Sequence, residues 1–243
     1  MKTSHAILAF ALTLLLSVWI ASNAFINRNQ SSETISVTGL GKKAFDSDLI
    51  VWNSSFNRKS MQLKEAYAAL DNDRKIIKEY LTSKGIASNE IIFSAVSINK
   101  EYDTSYDQYG SQRSQVFTGY NLSQNVQIES KNVAQVEGIS REVTELINLG
   151  VELNSYAPEY YYTKMAELKL EMIAEATKDA KARAEKIAEN AGAKLGKLKK
   201  SDMGVFQIIA QNSSEDFSWG GSFNTSSKKK EANITMKLVY QIK

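Results

Sequence analysis

Alternation of apolar and polar residues in two segments constrains the fold more than any other feature of the chain. A period of two places all the apolar side chains on one face of a β-strand and the polar ones on the other. A strand with one solvated face is typical of an antiparallel sheet. The apolar residues are Tyr120, Leu122, Val126 and Ile128 in segment 119–130, and Ala232, Ile234, Met236, Leu238, Tyr240 and Ile242 in segment 232–243.

The order of the remaining elements indicates an α+β fold. Strands are predicted at 48–56, 90–102 and 151–162, with Ile92, Val96 and Ile98 on one face of the second. Helical spacing of apolar residues predicts one helix after Ser60 and another from Val133 to Ile147. Together with segment 119–130, this order is strand, helix, strand, strand, helix, strand, which is that of a split βαβ or ferredoxin-like unit. Before it, residues 33–43 predict a strand that ends in a turn at Gly39 and Gly41.

A long alanine-rich helix is predicted from about Thr163 to Ala191. Its inner face begins with three bulky residues and continues as a stripe of small ones, Ala176, Ala180, Ala184, Ile187 and Ala191. Alanine has the highest helix propensity, so the stripe could serve helix formation alone. Lysine and glutamate would supply that propensity without a stripe, and we therefore favour close packing, either within the subunit or at an oligomer interface. C-terminal strands follow this helix.

Composition excludes several kinds of chemistry. The chain has 243 residues, no cysteine and one histidine, His5, which lies near the N-terminus. Thiolate chemistry and histidine-based general base catalysis or metal ligation in the body are therefore excluded. The carboxylates Asp71 and Asp73 project about 200° apart on a helix, so we expect them to be solvated surface groups. We predict no catalytic residue, no metal and no cofactor, and the net charge of +3 argues against nucleic-acid binding.

Residues 1–30 are predicted to direct export. The segment from Ala6 to Ile26 is apolar over about 21 residues, long enough to cross a hydrocarbon core of about 30 Å. The small residues at 22–24 are typical of a signal-peptidase site. A cleaved signal peptide and an N-terminal membrane anchor both remain open, and the length of the apolar run slightly favours the anchor. Either would place residues 31–243 outside the cytoplasm.

Tyrosines concentrate in the polar segment 102–113, which is predicted to be the tip of a hairpin. Tyr102, Tyr106 and Tyr109 lie there. Ordinary strand-edge packing explains such residues most simply, whereas exposed tyrosines would suit a protein interface. A third alternative is a ligand that stacks on the rings. The hairpin is the candidate binding tip of the chain.

Several short motifs occur in order along the chain: "VTGLG" (37–41), Asp48, "LTSKGI" (81–86) with "NEI" (89–91), "GY" (119–120) and "ATKDAKARAEKIAENAGAKLGKL" (176–198). Taken in this order, they resemble the SIMPL-domain family of exported bacterial proteins. The resemblance covers nearly all of residues 31–243. It implies an α+β fold and export, with ring- or channel-like oligomers in some members and a link to oxidative-stress defence in others. The family offers no agreed catalytic residues, and it often has proline where this chain has Ser47.

Together these observations predict an exported, single-domain envelope protein without enzymatic activity. We expect a structural or stress-protective role and a homo-oligomer, with membrane contact through residues 1–30 if they are not cleaved. The alternative function is an envelope binding module that holds peptide, glycan or wall polymer at the tyrosine-rich tip. The identity of any small-molecule ligand does not follow from the residues.

Overall fold

The computed structural model describes residues 2–28, 33–106, 112–214 and 218–242. They form four α-helices, one 3₁₀ helix and ten strands within these ranges. The helices are α1 (Lys2–Arg28), α2 (Leu63–Ser83), α3 (Val133–Glu142) and α4 (Met165–Asn190), and the 3₁₀ helix is Val143–Leu149. The strands are β1 (Thr34–Asp46), β2 (Leu49–Ser60), β3 (Ile91–Phe93), β4 (Ser97–Tyr106), β5 (Gln112–Ser130), β6 (Leu153–Ser155), β7 (Glu159–Tyr161), β8 (Leu195–Met203), β9 (Gln207–Ala210) and β10 (Lys229–Ile242).

The chain divides into two compact units. The split-βαβ unit comprises residues 41–175 and 205–234, and the alanine-helix unit comprises residues 1–40, 176–204 and 235–243. Three elements, β1, α4 and β10, contribute residues to both units.

A six-stranded sheet forms the framework of the split-βαβ unit. Its strand order is β3–β5–β2–β6, with β4 also paired to β5 and β7 to β2. Both β2 and β3 pair antiparallel with β5, so α2 connects two parallel strands that have β5 between them. This is the split βαβ arrangement. The α+β class and the antiparallel sheet predicted from the sequence are confirmed.

One hydrophobic core lies between this sheet and its two helices, because α2 contacts β2 and β5 while α3 contacts β2 and β5. The buried residues Ala66, Leu70, Asp73, Ile77 and Leu81 of α2 follow one another at spacings of three and four, which is the helical period. The largest buried side chains of the sheet are Trp52 and Phe56, each 1% exposed. The helix residues that share the core are Ala66, Leu70, Ile77, Leu81, Val133, Val136 and Ile139.

The prediction of one strand at 90–102 is wrong in two respects. The strand is interrupted, and the face that was expected to be buried is not the buried one. The chain forms β3 and β4 with residues 94–96 between them. Ile91 and Phe93 pair with the inward residues Ile128 and Val126 of β5, and Ile92 is left 53% exposed. Ile98 is also 55% exposed. The face is set by pairing with β5, which strand periodicity alone does not reveal.

A similar correction applies to the end of the second predicted helix. The α-helix stops at Glu142 and continues as the 3₁₀ helix, whose three residues per turn change the angular position of later side chains. Leu146 remains fully buried, whereas Ile147 is 65% exposed. Gly150 closes the helix in the left-handed region with φ of 76°.

The alanine-helix unit contains β8 and the second half of β10, which pair antiparallel from Met236↔Met203 to Ile242↔Leu195. In β10 the alternation predicted from the sequence is seen, because Met236, Leu238 and Tyr240 are 8%, 1% and 7% exposed. Of the residues that the structure describes, none forms a helix that is both long enough and apolar enough to cross a membrane.

Candidate functional site

The alanine stripe of α4 is a buried surface that touches a strand. Ala176, Ala180 and Ala184 are all 0% exposed. A Cβ atom added to Gly39 of β1 would lie 2.2 Å from the Ala176 carbonyl oxygen and 2.3 Å from the Ala180 nitrogen. Real Cβ atoms do not approach backbone so closely, so strand and helix meet backbone to backbone. The small side chains allow this contact, and both partners belong to the alanine-helix unit.

Two residues of the predicted stripe lie outside this buried face. Ile187 is 51% exposed, and Ala191 follows the last residue of α4. Ala188, which is 3% exposed, continues the buried row instead. Four residues after Ala184 bring a side chain about 40° from it around the axis, whereas three residues bring it about 60° to the other side.

The same contact explains why the predicted turn at Gly39 and Gly41 is wrong. Strand β1 runs through both glycines and ends at Asp46. Glycine at 39 removes the side chain that would otherwise separate β1 from α4. The glycine therefore reflects close approach of two backbones and not a change in chain direction.

Asp179 adds a polar link to this packed face. Its Oδ2 atom accepts hydrogen bonds from the Leu40 backbone nitrogen at 2.8 Å and pairs with the Arg183 Nε atom at 2.9 Å. The backbone hydrogen bond first, and the guanidinium second, hold the pKa of Asp179 below its usual value. A single carboxylate thus ties β1 to α4.

A row of aromatic rings lies across β4 and β5 of the predicted hairpin and includes one residue of the predicted binding tip, Tyr102. The ring centroids of Tyr102 and Phe117 are 5.6 Å apart, and those of Phe117 and Tyr120 are 5.1 Å apart, both in edge-to-face geometry. Tyr102 is 48% exposed. Tyr106 ends β4, where its backbone pairs with Gln112. Tyr109 lies outside the described residues.

Charged groups lie beside the aromatic row. A shallow depression of about 510 Å³ is lined by Lys59, Glu101, Tyr102, Asp103 and Thr118. The Lys59 ammonium lies 2.5 Å from a Glu101 carboxylate oxygen, and Asn121 donates to the other oxygen at 2.7 Å. Lys59 and then Asn121 hold the pKa of Glu101 below its usual value. A ring face beside paired charges suits a ligand with hydroxyl or amide groups.

A comparison with models of protein families shows which family the chain belongs to. The model of the family SIMPL, described as a protein of unknown function (DUF541), matches residues 35–236. The chain belongs to the SIMPL family. A search of curated proteins found no match. The match begins one residue after the start of β1 and ends within β10, so the SIMPL domain includes both the alanine stripe and the aromatic row.

One motif of the SIMPL domain holds the start of β2. Asp48 accepts hydrogen bonds from the Thr163 backbone nitrogen at 2.7 Å and from the Thr163 hydroxyl at 2.8 Å. The preceding Ser47 donates its backbone N–H to the Lys228 carbonyl at 2.9 Å. Proline has no N–H, so serine at this position permits a hydrogen bond that proline would lose.

Sequence reasoning missed a buried ion pair in the SIMPL domain. Asp73, expected to be a solvated group, is only 3% exposed. Its two carboxylate oxygens accept hydrogen bonds from Arg58 Nε at 2.5 Å and Arg58 Nη2 at 2.8 Å. The guanidinium also donates to the Gly150 carbonyl at 2.6 Å. The signal was present, because Asp73 falls between Leu70 and Ile77 at the spacing of the buried stripe.

This pair links β2 to α2 and to the residue that closes the 3₁₀ helix. The fork geometry of arginine matches a carboxylate bidentately, and loss of one partner would leave a buried charge. The Asp73 hydrogen bond is the main reason that the pKa of Arg58 is raised above its ordinary value. Across the described ranges, no group of three or more histidine, cysteine, aspartate or glutamate side chains could hold a metal ion.

Proposed function

We propose that this SIMPL-family protein is exported to the cell envelope, where it has a structural or stress-protective role as a homo-oligomer and not as an enzyme. The observation that carries the proposal is helix α1, which precedes the family-matching residues 35–236. Its described apolar side chains face solvent, with Phe10, Leu15 and Trp19 exposed by 70%, 69% and 66%. Such a surface suits recognition by export machinery.

Two tests of export are direct. Protease added to intact spheroplasts should digest the protein, whereas protection in sealed spheroplasts would contradict export. N-terminal sequencing of the isolated protein then separates the two forms of the leader. Met1 or Lys2 at the start indicates a retained segment, and Phe25 indicates cleavage after residue 24.

The proposal of a non-enzymatic role rests on composition. Outside the N-terminal helix the chain has neither histidine nor cysteine, which are the commonest general base and the most nucleophilic side chain. Three carboxylates of the SIMPL domain, Asp48, Asp73 and Asp179, hold neighbouring elements by accepting hydrogen bonds.

The proposal of a homo-oligomer is supported by exposed apolar residues close together in the chain. Ile147, Leu149 and Tyr156 of the split-βαβ unit are 65%, 57% and 55% exposed. We take these three side chains as candidates for the interface between copies, because contiguous exposed apolar surface marks interaction sites. Light scattering on the full chain in detergent should give a protein mass of two or more times 27.1 kDa. A mass of one subunit over the accessible concentration range would contradict this part of the proposal.

The second candidate function is binding of peptide, glycan or wall polymer at the tyrosine-rich tip. Tyr102 favours it, because this residue of the tip is 48% exposed and its ring lies in a row with Phe117 and Tyr120. Peptidoglycan fragments immobilised on an array should retain the protein. The Tyr102→Ala variant should lose this binding, whereas Tyr67→Ala, which removes a tyrosine that is 53% exposed on α2, should retain it. Equal retention of both variants would reject the tip as the site.

A further inference from the structure

Strand β1 has an open edge in the alanine-helix unit. Among the described residues it pairs only with β10. The Glu33 carbonyl accepts a hydrogen bond from the Ile242 nitrogen at 2.9 Å, so odd-numbered residues direct their backbone groups toward β10. The Leu40 nitrogen donates instead to the side chain of Asp179 at 2.8 Å, so even-numbered residues face the other way. Ser36 and Thr38 therefore present backbone N–H and C=O groups along the open edge.

A groove runs beside this edge. Its walls come from β1 and from the C-terminal half of α4, and it has a volume of about 460 Å³. Asp179 closes one end by capping the Leu40 amide. An added strand would lie about 4.8 Å from β1, within hydrogen-bonding reach of its open backbone groups. The lining residues are Ser36, Val37, Thr38, Arg183, Lys186 and Ile187.

The side chains of the groove indicate the chemistry of a partner. Arg183 and Lys186 are cations on the helix wall, and Ile187 adds an apolar surface that is 51% exposed. Each cation is held by an exposed ion pair on the same helix, to Asp179 and to Glu189, both at 2.9 Å. Exposed pairs of this kind contribute little free energy, so a carboxylate from a partner can replace them at small cost.

The opposite edge of the same sheet is protected by charge. Strand β8 carries Lys197, Lys199 and Lys200, all exposed. Lysine on an edge strand discourages pairing with another chain. The open part of β1 has only uncharged Thr34, Ser36 and Thr38 at the corresponding exposed positions. Because β8 and the helix wall of the groove both carry lysine or arginine side chains, β8 of a second copy is a poor partner for β1.

We propose that the groove between β1 and α4 binds an extended, acidic peptide segment of another protein, which adds to β1 as a further strand. Backbone hydrogen bonds to Ser36 and Thr38 supply affinity. Alternate side chains supply specificity, with carboxylates near Arg183 and Lys186 and an apolar residue on Ile187. Strand addition of this kind is a general mode of peptide recognition. The site lies outside the aromatic row of the tip and does not depend on the oligomer.

The first test uses two synthetic peptides of seven residues with blocked ends. One alternates glutamate and valine, and the other alternates lysine and valine. Fluorescence anisotropy with the full chain in detergent should show saturable binding of the glutamate peptide and at least about tenfold weaker binding of the lysine peptide. Absence of saturable binding, or equal affinity for the two peptides, would overturn the proposal.

The second test removes one outward N–H group. The Thr38→Pro variant loses an amide that β10 does not use, so the sheet tolerates it as an edge proline. We expect about tenfold weaker binding of the glutamate peptide, whereas Thr38→Val, which keeps the N–H, should bind as the unmodified protein does. Hydrogen exchange at Ser36 and Thr38 should slow when the glutamate peptide is added. Unchanged exchange at both amides, or unchanged affinity in a folded Thr38→Pro variant, would reject strand addition.

The third test reverses one charge and examines self-association. Lys186→Glu should reduce the preference for the glutamate peptide by at least about tenfold, and Lys200→Glu on β8 should leave it unchanged. If Lys200→Glu alters the preference as strongly as Lys186→Glu, the groove is not the binding site. Sedimentation of the protein alone should be equal for Thr38→Pro and Thr38→Val. Dissociation of an oligomer by Thr38→Pro only would assign the edge to a second copy and overturn the peptide proposal.

Discussion

Replacement of Gly39 by alanine tests the backbone contact between β1 and α4 most directly. The new methyl group would lie 2.2 Å from the Ala176 carbonyl oxygen and 2.3 Å from the Ala180 nitrogen, where the nearest atoms are backbone and cannot rotate away. The helix and strand must therefore separate. Overpacking of this kind costs about 1–3 kcal/mol, and we expect a value near the upper end. In a chain of this size a loss of about 3 kcal/mol lowers the melting temperature by about 6–12 °C.

The matched control is the same substitution at Gly138 of α3. Apart from its chain neighbours and the backbone of its own helix, no atom lies within 4 Å of a Cβ placed there. Alanine is also the better helix former by about 1 kcal/mol. Thermal melts followed by circular dichroism should therefore shift in opposite directions for the two variants. If Gly39→Ala melts at or above the temperature of the unmodified protein, the close approach of β1 and α4 is not a feature of the molecule.

Three further predictions concern the alanine-helix unit. Ala180→Leu should destabilise the fold by about 1–3 kcal/mol, because the buried site has no room for a larger side chain. Lys181→Leu on the exposed side should leave the melting temperature nearly unchanged. Equal melting temperatures for the two variants would mean that the alanines serve only helix propensity. In β10, Leu238→Ala should lower the free energy of unfolding, measured in urea, by about 2–5 kcal/mol, and Lys237→Ala should lower it by well under about 1 kcal/mol. Comparable losses for the two variants would contradict the assigned buried face. The lowered pKa of Asp179 means that its stabilising effect is present above the unfolded pKa of about 3.9 and is lost as pH falls through the folded pKa. The melting temperature of the unmodified protein should thus exceed that of Asp179→Asn at pH 7 and approach it in acid; a constant difference down to pH 2 would contradict this assignment.

Sequence periodicity was enough to predict the buried side of a segment where one side packs on the core and the other faces solvent. Five of the six apolar residues that the alternation places on one face of β10 are buried, although Lys230 and Asn233 are buried as well and Ile242 only partly so. Helical spacing of apolar residues predicted the helix α2 itself. The order of elements was enough for the split βαβ arrangement, because short connections leave few topologies open. In these segments the side chains that the backbone period places on one face are the ones that the fold buries.

Tertiary structure decided the features that depend on residues distant in the chain. Gly39 lies in a strand and not in a turn, because a helix more than 130 residues later packs on it. Asp73 is buried because Arg58 on β2 supplies the opposite charge. Ile92 faces solvent because pairing with β5 selects Ile91 and Phe93 for the core. Glycine and aspartate have strong local preferences for turns and surfaces, and a distant backbone or a distant cation can override those preferences when it supplies the missing contact.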